Sequence, residues 1–182
     1  YVGRVSKEKN LQLLADAFID ITDAGYRSAL IVVGDGAFRN ELEHLLNGYP
    51  VLFTGFLSGD ELSTIYASSD VFVFPSTTDT FGNVVLEAQS SGIPVIVSDE
   101  GGPKELMVDG KTGLVIKAHS KTALVDALTF FLRDKNNRAS MGSNARNFAE
   151  TNGITAYEAY HTILNTHAKI EERCTTEDFV QV

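Results

Sequence analysis

The amino-acid sequence predicts an α/β domain: a parallel sheet with helices on both faces. Two observations carry this expectation. Short, continuous apolar runs recur at 29–33, 71–74, 94–97 and 114–116, and segments with helical spacing of apolar residues lie between them. Strands buried on both faces lose the in–out alternation of a half-exposed strand, and parallel partners need a crossover long enough for a helix. In such sheets ligands sit beyond the carboxyl ends of the strands. The loops after Gly3, Val33, Thr54, Phe74, Val97 and Ile116 are therefore the ones that matter for function.

Each element has its own signal. Tyr1-Val2-Gly3 reads as a strand, and Leu11, Leu14, Ala15, Phe18 and Ile21 recur on one face of a helix near 8–24. Strand 29–33, a helix near 37–46 and strand 51–54 follow. A helix from Gly59 carries Leu62, Ile65 and Tyr66, with Ser58 placed as its N-cap. Strand 71–74 leads into a polar loop and a helix in which Phe81, Val84, Val85 and Ala88 fall at i, i+3, i+4 and i+7, the spacing of a core-facing stripe. Gly92 turns the chain into strand 94–97, Gly101-Gly102-Pro103 opens a short helix, and 114–116 is the last strand. Helices near 120–133, 136–150 and 155–172 complete a domain over 1–172, with 173–182 as a loose tail. Tyr157, Tyr160, Ile163, Leu164 and His167 form a stripe on the last helix, expected to pack in a core or an interface.

Composition excludes several classes. At 182 residues, with 43% hydrophobic and 21% charged residues, the chain has the make-up of one soluble globular domain. A net charge of −9 argues against a nucleic-acid surface, so an anionic ligand would need a local basic focus. No apolar run approaches the ~20 residues of a membrane span, and no signal-peptide pattern opens the chain. The start at Tyr1, without Met and already in a strand, leads us to expect a piece of a longer protein. The lone Cys174 allows no internal disulfide and fits a reducing compartment. His44, His119, His161 and His167 have no metal-ligand spacing and the chain has no Asp-x-Asp, so neither a metal nor a resident cofactor is expected.

The most informative stretch is Asp79-Thr80-Phe81-Gly82-Asn83-Val84-Val85-Leu86-Glu87. Asn83 and Glu87, four apart, share one side of the helix. Eight residues of helical rise would set the two acids roughly 12 Å apart, beyond the about 5–9.5 Å of a glycosidase pair. The pair reads instead as two ends of a clamp. Between them, free amides after Gly82 and the positive helix end favour a diphosphate. A ligand with hydroxyls at both ends and an anion in the middle, such as a nucleotide sugar, would fit. A solvated helix carrying two ordinary acids fits that spacing as well.

Other segments admit two readings each. Arg4 and Lys9 in Gly3-Arg4-Val5-Ser6-Lys7-Glu8-Lys9-Asn10 are cations at the carboxyl edge, or part of a solvated loop. Val33-Gly34-Asp35-Gly36 lacks the third glycine of a dinucleotide fingerprint, Arg39 standing in its place, and reads better as a tight turn. Gly55-Phe56-Leu57-Ser58 could approach a nucleobase or simply join strand to helix. Gly101-Gly102 could belong to a ligand loop or to a turn.

Taken in order, these motifs resemble the C-terminal domain of the retaining, nucleotide-sugar-dependent group 1 (family 4) glycosyltransferases of the GT-B fold. The resemblance runs over residues 1 to 165: Gly3-Arg4 with Lys9, Val33-Gly34-Asp35-Gly36 with Arg39 and Leu42, Gly55-Phe56, Asp70 to Ser76, the acid-x7-acid stretch, Gly92-Ile93-Pro94-Val95, Gly101-Gly102 with Glu105, and Gly110 with Gly113. It implies a Rossmann-like sheet and transfer of a hexosyl group with retention and without a metal. It implies that Gly3 lies in the donor site and that Arg4 and Lys9 hold the donor diphosphate. The backbone of Phe81, Gly82 and Asn83 would touch the phosphates and sugar, Asp79 the sugar hydroxyls, Glu87 the ribose, and Gly55 to Ser58, Leu57 included, the base. Two departures stand out: the family usually has Glu where Asp79 stands, and many members carry glycine in place of Asn10. The acceptor, a glycan or lipid-linked sugar, would bind an N-terminal domain outside this chain, in a cytoplasmic protein that could be peripheral to a membrane. The chain alone is then expected to bind donor without turnover. A non-catalytic nucleotide-sugar-binding module and a GT-B-type nucleotide-sugar epimerase remain as alternatives.

Overall fold

The computed structural model describes residues 1–151. The helix expected over 155–172, its aromatic stripe, the tail and the domain boundary at 172 lie outside the described residues. Helix α1 (Leu11–Asp23), strand β1 (Leu30–Val33), α2 (Arg39–Leu45), β2 (Val51–Gly55), α3 (Gly59–Ala67), β3 (Phe72–Phe74), α4 (Asn83–Ser90), β4 (Val95–Ser98), β5 (Gly113–Ile116) and α5 (Lys121–Arg133) follow in order, and a further helix occupies 135–151.

All strand pairing between these elements is parallel, as the apolar runs predict. It falls into two ladders, β1-β2 and β3-β4-β5. The opening segment joins β1: the Val33 amide donates to the Tyr1 carbonyl at 2.9 Å and the Gly3 amide to the Val33 carbonyl at 3.0 Å. Its Tyr1 ring stacks on Phe74 at 5.9 Å, so the two ladders meet there through side chains. The expected strand at 1–3 is real in its hydrogen bonds but reduces to one bridge, Val2 with Val33.

The core follows the periodicity. Leu11, Leu14, Ala15, Phe18 and Ile21 of α1 are buried, as are Val95, Ile96 and Val97 of β4. Helix α1 packs against α5, and α4 against β3, β4 and the short 3-10 turn at Pro103–Leu106. Two expectations need correction. Phe81 is 47% exposed, because α4 starts at Asn83 and leaves Phe81 in the preceding loop; Val85 and Ala88 carry the buried stripe. Ser58 stands at the N-cap of α3, but its side chain makes no capping bond.

The first helix also begins later than the spacing indicates. A 3-10 turn at Lys7–Lys9 ends on Asn10 in the left-handed conformation (φ 58°, ψ 32°), and α1 starts after it. That conformation is one glycine adopts freely and asparagine tolerates better than most residues. The exchange of glycine for Asn10 therefore keeps the backbone path. The Asn10 side chain adds a 3.4 Å hydrogen bond to the Pro75 carbonyl at the end of β3.

Candidate functional site

The loop at 75–82 leaves the carboxyl end of β3 and leads into α4. Lys9 Nζ donates to Asp79 Oδ1 at 2.7 Å, tying the turn before α1 to this loop, and both side chains are largely covered (15% and 23% exposed). Asp79 Oδ2 finds no hydrogen-bond partner among the described residues. From behind, the Gly102 amide donates to the Asp79 carbonyl at 2.8 Å. A Cβ on Gly102 would come within 1.8 Å of the Thr80 carbonyl oxygen, so this contact admits only glycine. Gly101-Gly102 is therefore the back support of the 79–82 loop, a structural role.

Gly82 takes φ 93° and passes the chain into α4. Among the described residues no side chain caps this helix, and the Val85 amide turns back to the Gly82 carbonyl at 2.9 Å. The first-turn amides and the positive end of the helix dipole thus stay available to an anion. Tyr1, Gly3, Arg4, Lys9, Asp79, Gly82 and Asn83 line a hollow of about 300 Å³ at this point. The Tyr1 hydroxyl donates to the Arg4 carbonyl at 2.8 Å, fixing the backbone beneath the Arg4 side chain. Burial, then the nearby Asp79 charge, pushes the Tyr1 phenol well above its usual range, so it stays protonated as a donor. Arg4 itself is 73% exposed and has one loose 3.8 Å pairing with Glu8.

Glu87 lies next door. With Gly59, Leu62, Tyr66 and Leu86 it lines a second hollow of about 570 Å³, and Asn83 lines both. The two acids of the stretch thus serve neighbouring cavities on either side of Asn83, with just over one helical turn, from Asn83 to Glu87, between the shared wall and the second acid. The Tyr66 hydroxyl donates to Glu87 Oε2 at 3.0 Å. Tyr66 is buried and its phenol is pushed far above its usual range, by burial first and by Glu87 second.

Of the predicted site residues, Gly3, Arg4, Lys9, Asp79, Gly82 and Asn83 share the first hollow and Glu87 the second. Gly55, Leu57 and Phe81 lie outside both. Gly55 accepts a 2.7 Å hydrogen bond from the Gly34 amide, Leu57 packs partly against the core, and Phe56 between them is 83% exposed. Val33-Gly34-Asp35-Gly36 is the structural turn expected of it: Asp35 accepts from the Gly36 amide at 2.7 Å and holds Arg39 at 3.1 Å. Sequence reasoning missed Tyr1 and Tyr66 as parts of the site. Their aromatic rings read as core, although a buried tyrosine hydroxyl needs a partner and that need was a signal. Among the described residues no group of three or more His, Cys, Asp or Glu converges in a way that could hold a metal ion.

Comparison with known proteins decides the family. The family model described as glycosyl transferases group 1 matches residues 1–148. The chain belongs to this family. It is 40% identical over 153 residues to sulfoquinovosyl transferase SQD2 of Arabidopsis thaliana, covering 82% of this chain and 29% of that protein. It is 38% identical over 136 residues to a GDP-mannose-dependent alpha-mannosyltransferase of Mycolicibacterium smegmatis, covering 74% and 34%. Among solved structures it resembles the C-terminal domain of the group 1 protein LpcC from Francisella tularensis, with TM-score 0.75, 26% identity and 82% of each chain covered. It also resembles Anabaena HepE in complex with UDP-glucose, with TM-score 0.79, 25% identity, and 91% of this chain against 47% of that one. The fold is the Rossmann-like C-terminal half of a GT-B glycosyltransferase. The chain spans 29% to 47% of the length of the first three curated relatives. No helix among the described residues is long and apolar enough to cross a membrane.

Proposed function

We propose that this chain is the donor-binding half of a retaining glycosyltransferase, which moves a hexosyl group from a UDP- or GDP-sugar to a glycan or lipid-linked acceptor. One observation carries this reading: two cations, an acid and an uncapped helix start line a single hollow, and a second acid stands in the adjoining one. The relatives support the class of ligand, since HepE was solved with UDP-glucose and the mycobacterial relative is GDP-mannose-dependent.

In this reading Arg4, Lys9 and the first amides of α4 take up the negative charge that builds on the departing diphosphate. Lys9, tied to Asp79, and the helix amides are held in place before the reaction, so they need little reorganisation as the charge develops. Asp79, which lines this hollow, contacts the sugar hydroxyls. Glu87 accepts from the ribose, and the 55–58 loop lies toward the base. The reaction uses no metal or other cofactor, because the named cations supply the positive charge. The acceptor binds a part of the protein outside this chain. A cytoplasmic location, at a membrane surface or away from it, completes the proposal, and the single cysteine fits it.

Arg4 gives the cleanest test. Its side chain is exposed and loosely paired, so Arg4→Ala is expected to change stability by less than about 0.5 kcal/mol. In the full-length protein, however, the transfer rate should fall on the order of 10²-fold, the scale of losing one transition-state charge contact. Steady-state kinetics and a urea titration of the same variant check both numbers. An unchanged rate would remove Arg4 from the proposed chemistry.

A further inference from the structure

We infer that Tyr66 is a positioning residue for the nucleotide: its buried hydroxyl holds the Glu87 carboxylate in the orientation that receives the ribose. The inference rests on the reading of Glu87 as the ribose contact and adds the residue that makes Glu87 selective.

A glutamate on a helix surface has three rotors and, left alone, samples many positions. Among the described residues no lysine or arginine pairs with Glu87. What holds it is a neutral donor, Tyr66 Oη, at 3.0 Å from Oε2. The same hydroxyl lies 3.5 Å from the Val84 carbonyl one turn earlier on α4, so it is aimed at this face of the helix.

Tyr66 is itself packed into the core. Its side chain is buried, and its ring packs at 5.9 Å and 57° against Phe72 of β3. The sheet therefore sets the ring, the ring sets the hydroxyl, and the hydroxyl sets the carboxylate. Burial keeps the phenol protonated across the working range, so the donor is not lost to titration.

The choice of a neutral partner has a chemical consequence. A lysine or arginine would neutralise Glu87 and compete with an incoming donor. Tyr66 occupies Oε2 and leaves the carboxylate its charge, with Oε1 able to accept from a pair of hydroxyls. Such a group favours a ligand bearing vicinal hydroxyls over one that lacks them, and gains nothing from a second phosphate. Tyr66 would thus act on recognition of the ribose, through Glu87, and not on the diphosphate.

The test uses the full-length protein carrying this chain, as wild type, Tyr66→Phe and Glu87→Ala. The phenylalanine keeps the ring against Phe72 and removes only the hydroxyl. Calorimetry measures binding of whichever of uridine, guanosine and adenosine diphosphate binds wild type best, of its 2′,3′-dideoxy form, and of inorganic pyrophosphate. We expect Tyr66→Phe to weaken the intact nucleotide roughly three- to tenfold, the scale of one hydrogen bond. Its affinity for the dideoxy form and for pyrophosphate should match wild type. Equal weakening of the intact and dideoxy forms would mark a general packing defect and overturn the inference. So would full ribose discrimination in Tyr66→Phe when Glu87→Ala has lost it, and in that case the Glu87 reading survives. If Glu87→Ala discriminates like wild type, or no diphosphate binds wild type, the Glu87 reading falls and the inference with it.

Discussion

Lys9 and Asp79 meet at 2.7 Å although they are 70 positions apart, and neither is well solvated. Taking one partner away strands the other. Lys9→Ala leaves a mostly covered carboxylate with no counter-charge, and we expect a loss on the order of 1–3 kcal/mol, between the values for surface and buried pairs. Replacing both groups by apolar ones, Lys9→Met with Asp79→Leu, removes the stranded charge and should recover most of that loss. Nucleotide-sugar binding should be absent in the single and the double variant alike. Urea titration and calorimetry on the pair separate the two roles. A double variant no more stable than Lys9→Ala would mean that the pairing does little for the fold. The Lys9–Asp79 contact also bears on the shorter acid: with one methylene fewer than glutamate, Asp79 still reaches Lys9.

At the scale of elements, the 79–82 loop is shaped by what lies behind it. Gly102 presses on Thr80 and bonds Asp79, so a methyl group there must displace the loop. Gly102→Ala should cost about 1–3 kcal/mol by overpacking. Gly110 is a matched control: at φ 69° with nothing within 4 Å of an added Cβ, Gly110→Ala should cost about 1–2 kcal/mol through backbone strain alone. Both variants lose stability, but only Gly102→Ala should lose nucleoside-diphosphate affinity, several-fold by calorimetry. Equal affinities would show that the loop does not depend on its support. This dependence was hidden in the sequence, where Gly101-Gly102 shows the turn chemistry but not which loop it touches. Periodic segments were legible because burial alone decides them, as in α1 and β4. The start of α4 was less so: Phe81 continues the apolar spacing, yet the left-handed Gly82 ends that register before the helix begins. Ser58 shows the same limit, since residue type marks a cap position and local geometry decides whether the bond forms. Tyr66 has a helical spacing that marks it as core, and only the fold brings its hydroxyl to Glu87.

For the molecule as a whole, the hollows at the carboxyl edge set a local field against the global one. A net charge of −9 repels a nucleoside diphosphate at long range, while Arg4, Lys9 and the start of α4 attract it within the first hollow. Salt screens both, but it screens the long-range repulsion more, because Lys9 is largely covered while charges farther away than a Debye length of about 10 Å at 0.1 M act through solvent. The relatives extend well beyond the matched region, and a C-terminal domain of one family member has been solved by itself. Everything proposed to grip the donor lies within residues 1–151, and nothing proposed to grip the acceptor does. The chain expressed alone should therefore bind nucleoside diphosphate with an affinity that changes little, within about threefold, between low and moderate salt. It should transfer no sugar to any acceptor, whereas the full-length protein is expected to turn over. Calorimetry across a salt series, with a product assay on both proteins, decides the matter. Turnover by the chain alone would show that the acceptor machinery resides in this half, and a steep loss of affinity with salt would show that the donor is held by exposed charge instead of the covered site.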